Sequence, residues 1–226
     1  MAPNNRPLPS FIADNSQDGI PYGRFAEETL AQPFRDAVAK IEDLPQGVEV
    51  PEEFDWFPER TWGGRVWFPV TAHAEGPEGP IELFGHVSHA VVEGESQPGD
   101  FRATADFTDV LAADNPDWKI DLNDDVIGRW RGENDRAGSV TLVWGRPLVQ
   151  GAVAATGELE ATTVDQAPVD KGRFTLIALD ALEAYGDDVF LEVKLWNRRA
   201  IELASESLYA EGEPEEPEGD TGAEPG

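Results

Sequence analysis

The chain contains no cysteine, and that absence removes disulfides, thiolate metal sites and thiol nucleophiles together. Stability must then come from burial, and redox chemistry has no thiol handle. Long apolar runs are missing too. Nowhere do 18 uncharged apolar residues follow one another, so no spanning helix is expected. Residues Met1 to Gly23 hold four prolines and no apolar stretch of the signal-peptide kind, so neither a leader nor a membrane partner is expected. The expected location is the cytoplasm, or a particle assembled there.

Positive charge is scarce: 17 Lys and Arg stand against 45 Asp and Glu, a formal net charge of −28, and only four of the 17 are lysine. A tail does not produce this imbalance. Seven acidic residues and no basic one lie from Ala210 to Gly226, which leaves 38 acidic against 17 basic before it, a net −21. An acidic surface repels phosphates, which disfavours double-stranded nucleic acid and anionic membranes as partners. Basic partners and divalent cations remain compatible with it.

At 226 residues and 40% hydrophobic content the chain is long and apolar enough to bury a sizeable core. Residues 1–22, with Pro3, Pro7, Pro9 and Pro21 among Asn, Ser and Asp, read as an extended arm. Residues 23–209 read as a single β-rich domain with a helix near 24–44. Residues 210–226, with Pro214, Pro217 and Pro225 among glutamates and glycines, have the composition of a disordered acidic tail.

Phe25, Leu30, Phe34, Ala37, Val38, Ile41 and Leu44 recur at helical spacing. Pro33 falls inside this stripe, so the expected helix is Phe34 to Glu42 with Pro33 in its first turn. Pro45 to Arg60 reads as a connecting loop.

Beyond Gly64 the period changes to two. Val66, Phe68, Val70 and Ala72 alternate, a turn follows at Glu75 to Pro80, and Ile81, Leu83, Gly85 and Val87 come next. A hairpin centred between Pro77 and Glu78 sets Phe68 opposite Val87, Val70 opposite Gly85 and Ala72 opposite Leu83, so both strands place their apolar sets on one face. Further alternating runs occur at Phe101 to Phe107, Trp118 to Leu122, Val126 to Trp130, Val140 to Trp144, Val153 to Leu159, Phe174 to Leu179, Val189 to Leu195 and Ile201 to Leu203. The expected class is mainly β, a β-sandwich or barrel of about ten strands with one N-terminal helix.

Three histidines, His73, His86 and His89, fall within 17 residues. In a strand His86 and His89 differ in parity and point to opposite faces, and His86 and His73 stand too far apart to share an ion. His89 and Glu93 share parity, which makes them one weak metal pair. The stretch holding Asp121, Asn123 and Asp125 is rich in the oxygen ligands calcium uses. It puts Val126 where a calcium loop needs glycine and Gly132 where it needs glutamate. A solvated turn between strands is the plainer reading of this stretch, and no cofactor is expected beyond a divalent cation here.

No serine sits in a G-x-S-x-G elbow, and Gly63-Gly64 lacks the context of a phosphate loop. Seven tryptophans are present. Trp67 and Trp196 fall off the apolar parity of their strands, so they form either a second buried layer or an exposed aromatic platform for a sugar, a base or a protein. Arg129, Arg131, Arg136 and Arg146 lie near Trp130 and Trp144, and arginine with aromatics is the chemistry of single-strand binding.

The candidate contact residues are therefore Trp67, Trp130, Trp144, Trp196, Arg129 and Arg131. The expected function is a non-enzymatic interaction or structural module. It would work with a protein partner or by self-assembly, as a protomer of a viral or injection-type particle for example. A single-stranded nucleic-acid binder with an acidic tail and a sugar-binding or carbohydrate-active protein are the alternatives.

Overall fold

The computed structural model describes residues 23–91, 98–131, 137–159, 162–180 and 191–208. The expected arm and acidic tail lie outside these residues.

One helix precedes twelve strands among the described residues. The helix α1 (Gly23–Val38) runs straight through Pro33, which corrects the expected start at Phe34. An interior proline removes one backbone hydrogen bond and costs about 3 kcal/mol. The face bearing Leu30, Phe34, Ala37 and Val38 is buried, and each large apolar side chain contributes roughly 1.5–3 kcal/mol, so packing wins. The expected end at Glu42 was a turn too late. After Val38 the backbone tightens, with Lys40 N–H bonding Ala37 O and Ile41 N–H bonding Val38 O. Ile41 and Leu44 still pack against the same core from the turn that follows, which is why their spacing resembled more helix.

Sheet A is built from β1 (Asp55–Trp56), β2 (Arg60–Trp62), β3 (Arg65–Gly76), β4 (Gly79–Ala90) and β5 (Gly99–Thr108). Its order is β1-β3-β4-β5, with β2 also pairing β3. The β3–β4 ladder pairs Phe68 with Val87, Val70 with Gly85 and Ala72 with Leu83, the register read from the alternation. The stretch expected as a connecting loop, Pro45 to Arg60, supplies β1 and the first residue of β2 instead, strands of two and three residues that are too short to show a period.

Pro69, in the middle of β3, sits at the break between them. Its carbonyl accepts from Phe57 N–H, so the N–H that proline lacks would have faced the same gap, where no ladder bond is needed.

Sheet B comprises β6 (Ile120–Arg131), β7 (Ala137–Pro147) and β10 (Phe174–Asp180) in the order β10-β7-β6. The two runs expected around residues 118–130 are one strand, β6, with an irregular register between Val126 and Gly128. Sheet C comprises β8 (Ala154–Leu159), β9 (Thr162–Pro168), β11 (Leu191–Trp196) and β12 (Glu202–Ser207) in the order β12-β11-β8-β9. Strand β9 escaped the sequence reading because Thr-Thr-Val-Asp-Gln-Ala-Pro carries almost no apolar alternation.

Three apolar clusters show how the layers stack. Leu30, Phe34 and Val38 pack with Val66, Phe68, Val70, Leu83 and Val87, so α1 covers one face of sheet A. Phe57 and Trp67 pack with Leu142 and Trp144, which joins the opposite face of sheet A to sheet B. Val143, Phe174 and Leu176 pack with Ala155, Leu191, Val193 and Leu195, which joins sheet B to sheet C. The described residues thus form a sandwich of three open antiparallel sheets capped by a helix. Asp165 on β9 ties all three sheets together, accepting from Arg60 of β2 and from the Ile177 N–H of β10.

Candidate functional site

Residues at even positions on β4 face sheet B. Glu82 and His86 are buried there and Phe84 is half-buried. The alternation that puts Leu83 and Val87 under the helix forces these three onto the other face, where β6 and β7 meet them.

Asp121, Asn123 and Asp125 lie in β6, which corrects their reading as a turn between strands. Each is committed to a different partner. Asp121 stands 3.6 Å from Arg146, Asn123 donates to Glu82 at 3.2 Å, and Asp125 accepts from Thr104 at 2.7 Å. His86 Nδ1 is 3.0 Å from Thr104 Oγ1 and 3.2 Å from Asp125 Oδ2. An ionised carboxylate only accepts, so Nδ1 carries the ring proton.

Arg146 is the hub. Its guanidinium donates to Asp55 at 2.8 Å and to Thr71 at 2.9 Å, stands 3.7 Å from Glu82, and lies over the Phe57 ring. Arg173 reaches the same Asp55 and the same ring.

These environments move the carboxylates in opposite directions. Burial pushes Glu82 above the usual glutamate value, and nearby Asp121 adds to it against the pull of Asn123 and Arg146. Burial likewise raises Asp121, opposed by Arg146 and His73. Asp125 is also desolvated, yet the hydrogen bonds from His86 and Thr104 outweigh that and hold it below the usual aspartate value.

Along this seam runs an acidic groove between β4 and β5 on one side and β6 on the other. It holds two adjoining cavities. One of about 380 Å³ is lined by Glu82, Phe84, Asp106, Trp118, Asp121 and Asp124 among others. The second, about 270 Å³, shares Phe84, Asp106 and Asp124 and adds Thr104, Asp125 and Trp144. A larger cavity of about 440 Å³ sits at the β3–β4 turn, walled by Pro45, Pro77 and Pro80, away from the histidine and arginine contacts described above.

Compared with known protein families, curated proteins and solved structures, the chain matches none. The geometry of the groove therefore carries the functional argument alone.

The other sequence candidates fall as follows. His86 and His89 do face opposite sides of β4. His89 stacks on Phe68 and meets Phe101 under the helix, while His86 lies against Trp67 toward sheet B. Glu93 lies outside the described residues. No group of three or more His, Asp or Glu among the described residues is placed to hold a metal ion.

Trp67, Trp144 and Trp196 are 7%, 0% and 7% exposed, so none offers the open aromatic platform that was one alternative. Trp67 donates to Trp62 O and Trp196 to Thr156 Oγ1. Trp130 is half-buried beside the exposed Arg129, and the Arg131 side chain is outside the described residues. Arg146 is not part of a surface cluster with them, being engaged between the sheets.

The sequence reading missed Glu82, Phe84, Thr104 and Asp106. Their signal was present as a polar and aromatic set alternating against Leu83 and Val87. A solvated sheet face gives the same alternation of polar with apolar residues, so parity alone did not mark them as facing a second packed layer.

Proposed function

We propose that this chain is a non-enzymatic interaction module that engages a basic partner protein through the groove between sheets A and B. The carrying observation is that this groove gathers Glu82, Asp106, Asp121, Asp124 and Asp125 on strands of two sheets, next to the aromatic walls Phe84, Trp118 and Trp144. A single-signed surface on rigid strands favours an oppositely charged guest, and the overall charge of −28 steers it there. Groups that could have served as acid or base are already engaged, Asp125 with His86 and Glu82 with Asn123 across the two sheets and Asp121 with Arg146 inside sheet B, which supports a binding role over a catalytic one. Repulsion of phosphates at such a surface, and the separation of Arg146 from Arg129, weigh against single-stranded nucleic acid.

A second reading, a protomer of a larger assembly, draws support from the sheet edges. Among the described residues β5, β6, β9 and β12 each pair on one side only, and open edges are the surface by which strands add across chains.

Light scattering during size-exclusion chromatography, combined with cross-linking in the native extract, tests both readings. A basic protein cross-linked to the groove strands supports the first, and an ordered homo-oligomer supports the second. A strict monomer that cross-links to nothing overturns both.

A further inference from the structure

We propose that the basic loops at one end of sheets B and C are the docking surface for an acidic segment of the same chain, Ala210 to Gly226, which lies outside the described residues. This surface is separate from the groove between sheets A and B and does not rest on the reading given to it.

Three loops meet at this end. Val153 N–H bonds the Trp196 carbonyl and Val169 N–H bonds the Val153 carbonyl, so residues 148–153, 169–173 and 197–201 lie side by side where β7, β9 and β11 stop. In a chain with 45 acidic residues against 17 basic, these loops reverse the balance. They carry Lys171, Arg173, Arg198 and Arg199 against Asp170 alone, with Glu202 just beyond.

Arg173 is engaged with Asp55. Lys171, Arg198 and Arg199 are exposed, and their side chains enter no ion pair or hydrogen bond among the described residues. Elsewhere Arg60, Arg65, Arg146 and Lys194 each hold a carboxylate. Three neighbouring cations without one, in so acidic a molecule, mark a charge that the described residues leave unmet.

Turn chemistry does not account for Lys171. It sits at φ +48° beside Gly172 at +76°, in a two-residue turn closed by Asp170 and Arg173. Glycine, asparagine or aspartate takes such left-handed positions more readily than lysine. The neighbouring loop is fixed by the Asn197 side chain, which accepts from Arg199 N–H at 2.8 Å and Ile201 N–H at 3.1 Å. The cations therefore stand on ordered backbone.

Charge and reach select the occupant. Ala210 to Gly226 holds seven acidic residues and no basic one, while the remainder of the chain is itself net −21. Most of the surface repels this segment, and the basic loops attract it. Strand β12 starts beside the Arg198–Arg199 loop, and Leu208, past its other end, bonds Leu191 at the far end of β11. The way back from Leu208 to Ile201 is seven residues of strand, about 23 Å. Glu215 lies seven residues beyond Leu208, so extended chain brings Glu215 and Glu216 to the arginines. Lys171 follows β9, three strands across sheet C, about 14 Å further on, within the span of Glu218 and Asp220. The covalent tether supplies these carboxylates at an effective concentration on the order of millimolar, which any free anionic partner of this end must overcome.

The test is zero-length carbodiimide cross-linking of the full chain, which joins lysine amines to carboxylates in contact, read by peptide mapping. The chain has four lysines. Lys194 is buried, and Lys40 is exposed in the turn after α1 on the opposite outer layer, so Lys40 is the control for Lys171. At about 0.02 M ionic strength Lys171 is expected to couple to Glu215, Glu216, Glu218 or Asp220 at least about fivefold more than Lys40 does. The yield should fall about fivefold or more at 1 M salt, where the screening length shrinks to about 3 Å. Arg198→Gln with Arg199→Gln should lower it about threefold or more, and Arg102→Gln, on sheet A, should leave it unchanged. Thermal melts of the variants confirm folding.

Equal coupling at Lys171 and Lys40, or a yield indifferent to salt and to the arginines, overturns the proposal. Hybrid cross-links in a mixture of isotope-labelled and unlabelled chains transfer the acidic segment to a second copy and overturn its docking within one chain. A labelled single-stranded oligonucleotide that binds the full chain and is lost in the double arginine variant, with no coupling at Lys171, assigns the loops to nucleic acid instead. None of these outcomes bears on the groove, so the two readings stand or fall separately.

Discussion

Lys194 Nζ lies 2.7 Å from Glu158 Oε2 on the neighbouring strand, with both side chains buried in sheet C. Glu192, two residues before Lys194 on the same face of its strand and more exposed, adds a second carboxylate at 3.0 Å. Lys194→Met strands the Glu158 charge, and a loss of about 3–5 kcal/mol is expected in urea unfolding. Adding Glu158→Leu should recover most of it. A single-variant loss of under about 1 kcal/mol, the level of a surface pair, would refute the assignment.

The same pair sets a pH limit. Burial works against the Lys194 ammonium, but hydrogen bonds and charges from Glu158 and Glu192 outweigh it and raise its pKa above the usual lysine value. A raised folded pKa means that the stabilisation is complete below about pH 10.4 and fades as pH climbs through the folded value. Alkaline unfolding should therefore shift to lower pH in Glu158→Gln.

Asp125 behaves in the opposite sense. Its pKa is held below 3.8 by His86 and Thr104 despite desolvation. Its contribution is present above that value and disappears as pH falls through the folded pKa. Asp125→Asn should cost about 1–3 kcal/mol at neutral pH. Denaturation curves of variant and parent should converge as the pH falls through that lowered value. A gap that stays constant with pH would show that Asp125 is not the titrating group.

Glu82 carries the reverse cost. Its folded pKa is raised from 4.5, chiefly by burial, so the folded state prefers the protonated form and stability declines as pH rises through that raised value. Glu82→Gln should be more stable than the parent at pH 7.5, with the advantage shrinking as the pH approaches 4.5. A variant less stable at both pH values would mean that the Arg146 contact outweighs the burial.

Gly85 is fixed by contact. A side chain there would put its Cβ 2.2 Å from the Thr104 carbonyl oxygen across the β4–β5 ladder, at a backbone φ of +155°. Gly85→Ala should cost about 1–3 kcal/mol or more and loosen β5, read as faster amide exchange from Phe101 to Phe107.

The alternation along β3 and β4 was enough to set their register, because a slip of one residue would turn Phe68, Val70, Leu83 and Val87 away from the helix. The same parity places His86 and His89 on opposite faces of the strand. Local patterns failed where stability comes from elsewhere. Pro33 is tolerated because Leu30, Phe34 and Val38 are buried against a sheet whose residues come dozens of positions later. The two-residue β1 and three-residue β2 exist only because β3 is there to pair with them. The Asp121 to Asp125 stretch looked like a turn because charged residues rarely line a packed strand, and it became strand because Arg146, Thr104 and His86 supply partners for its carboxylates.

Sequence alone therefore determined the acidic field, the absence of thiol chemistry, the mainly β class with its leading helix, and the facing of the first hairpin, since each depends on composition or on neighbours two to four residues apart. The tertiary structure decided how many sheets stack, that Trp67 and Trp144 are buried between them, and that carboxylates from β4, β5 and β6 converge on one groove. Those outcomes depend on contacts between residues far apart in the chain, such as Thr104 with Asp125, 21 positions away, and Arg146 with Asp55, 91 positions away. Closing loops of that length is decided by the free energy of the whole packed core, which no local pattern encodes.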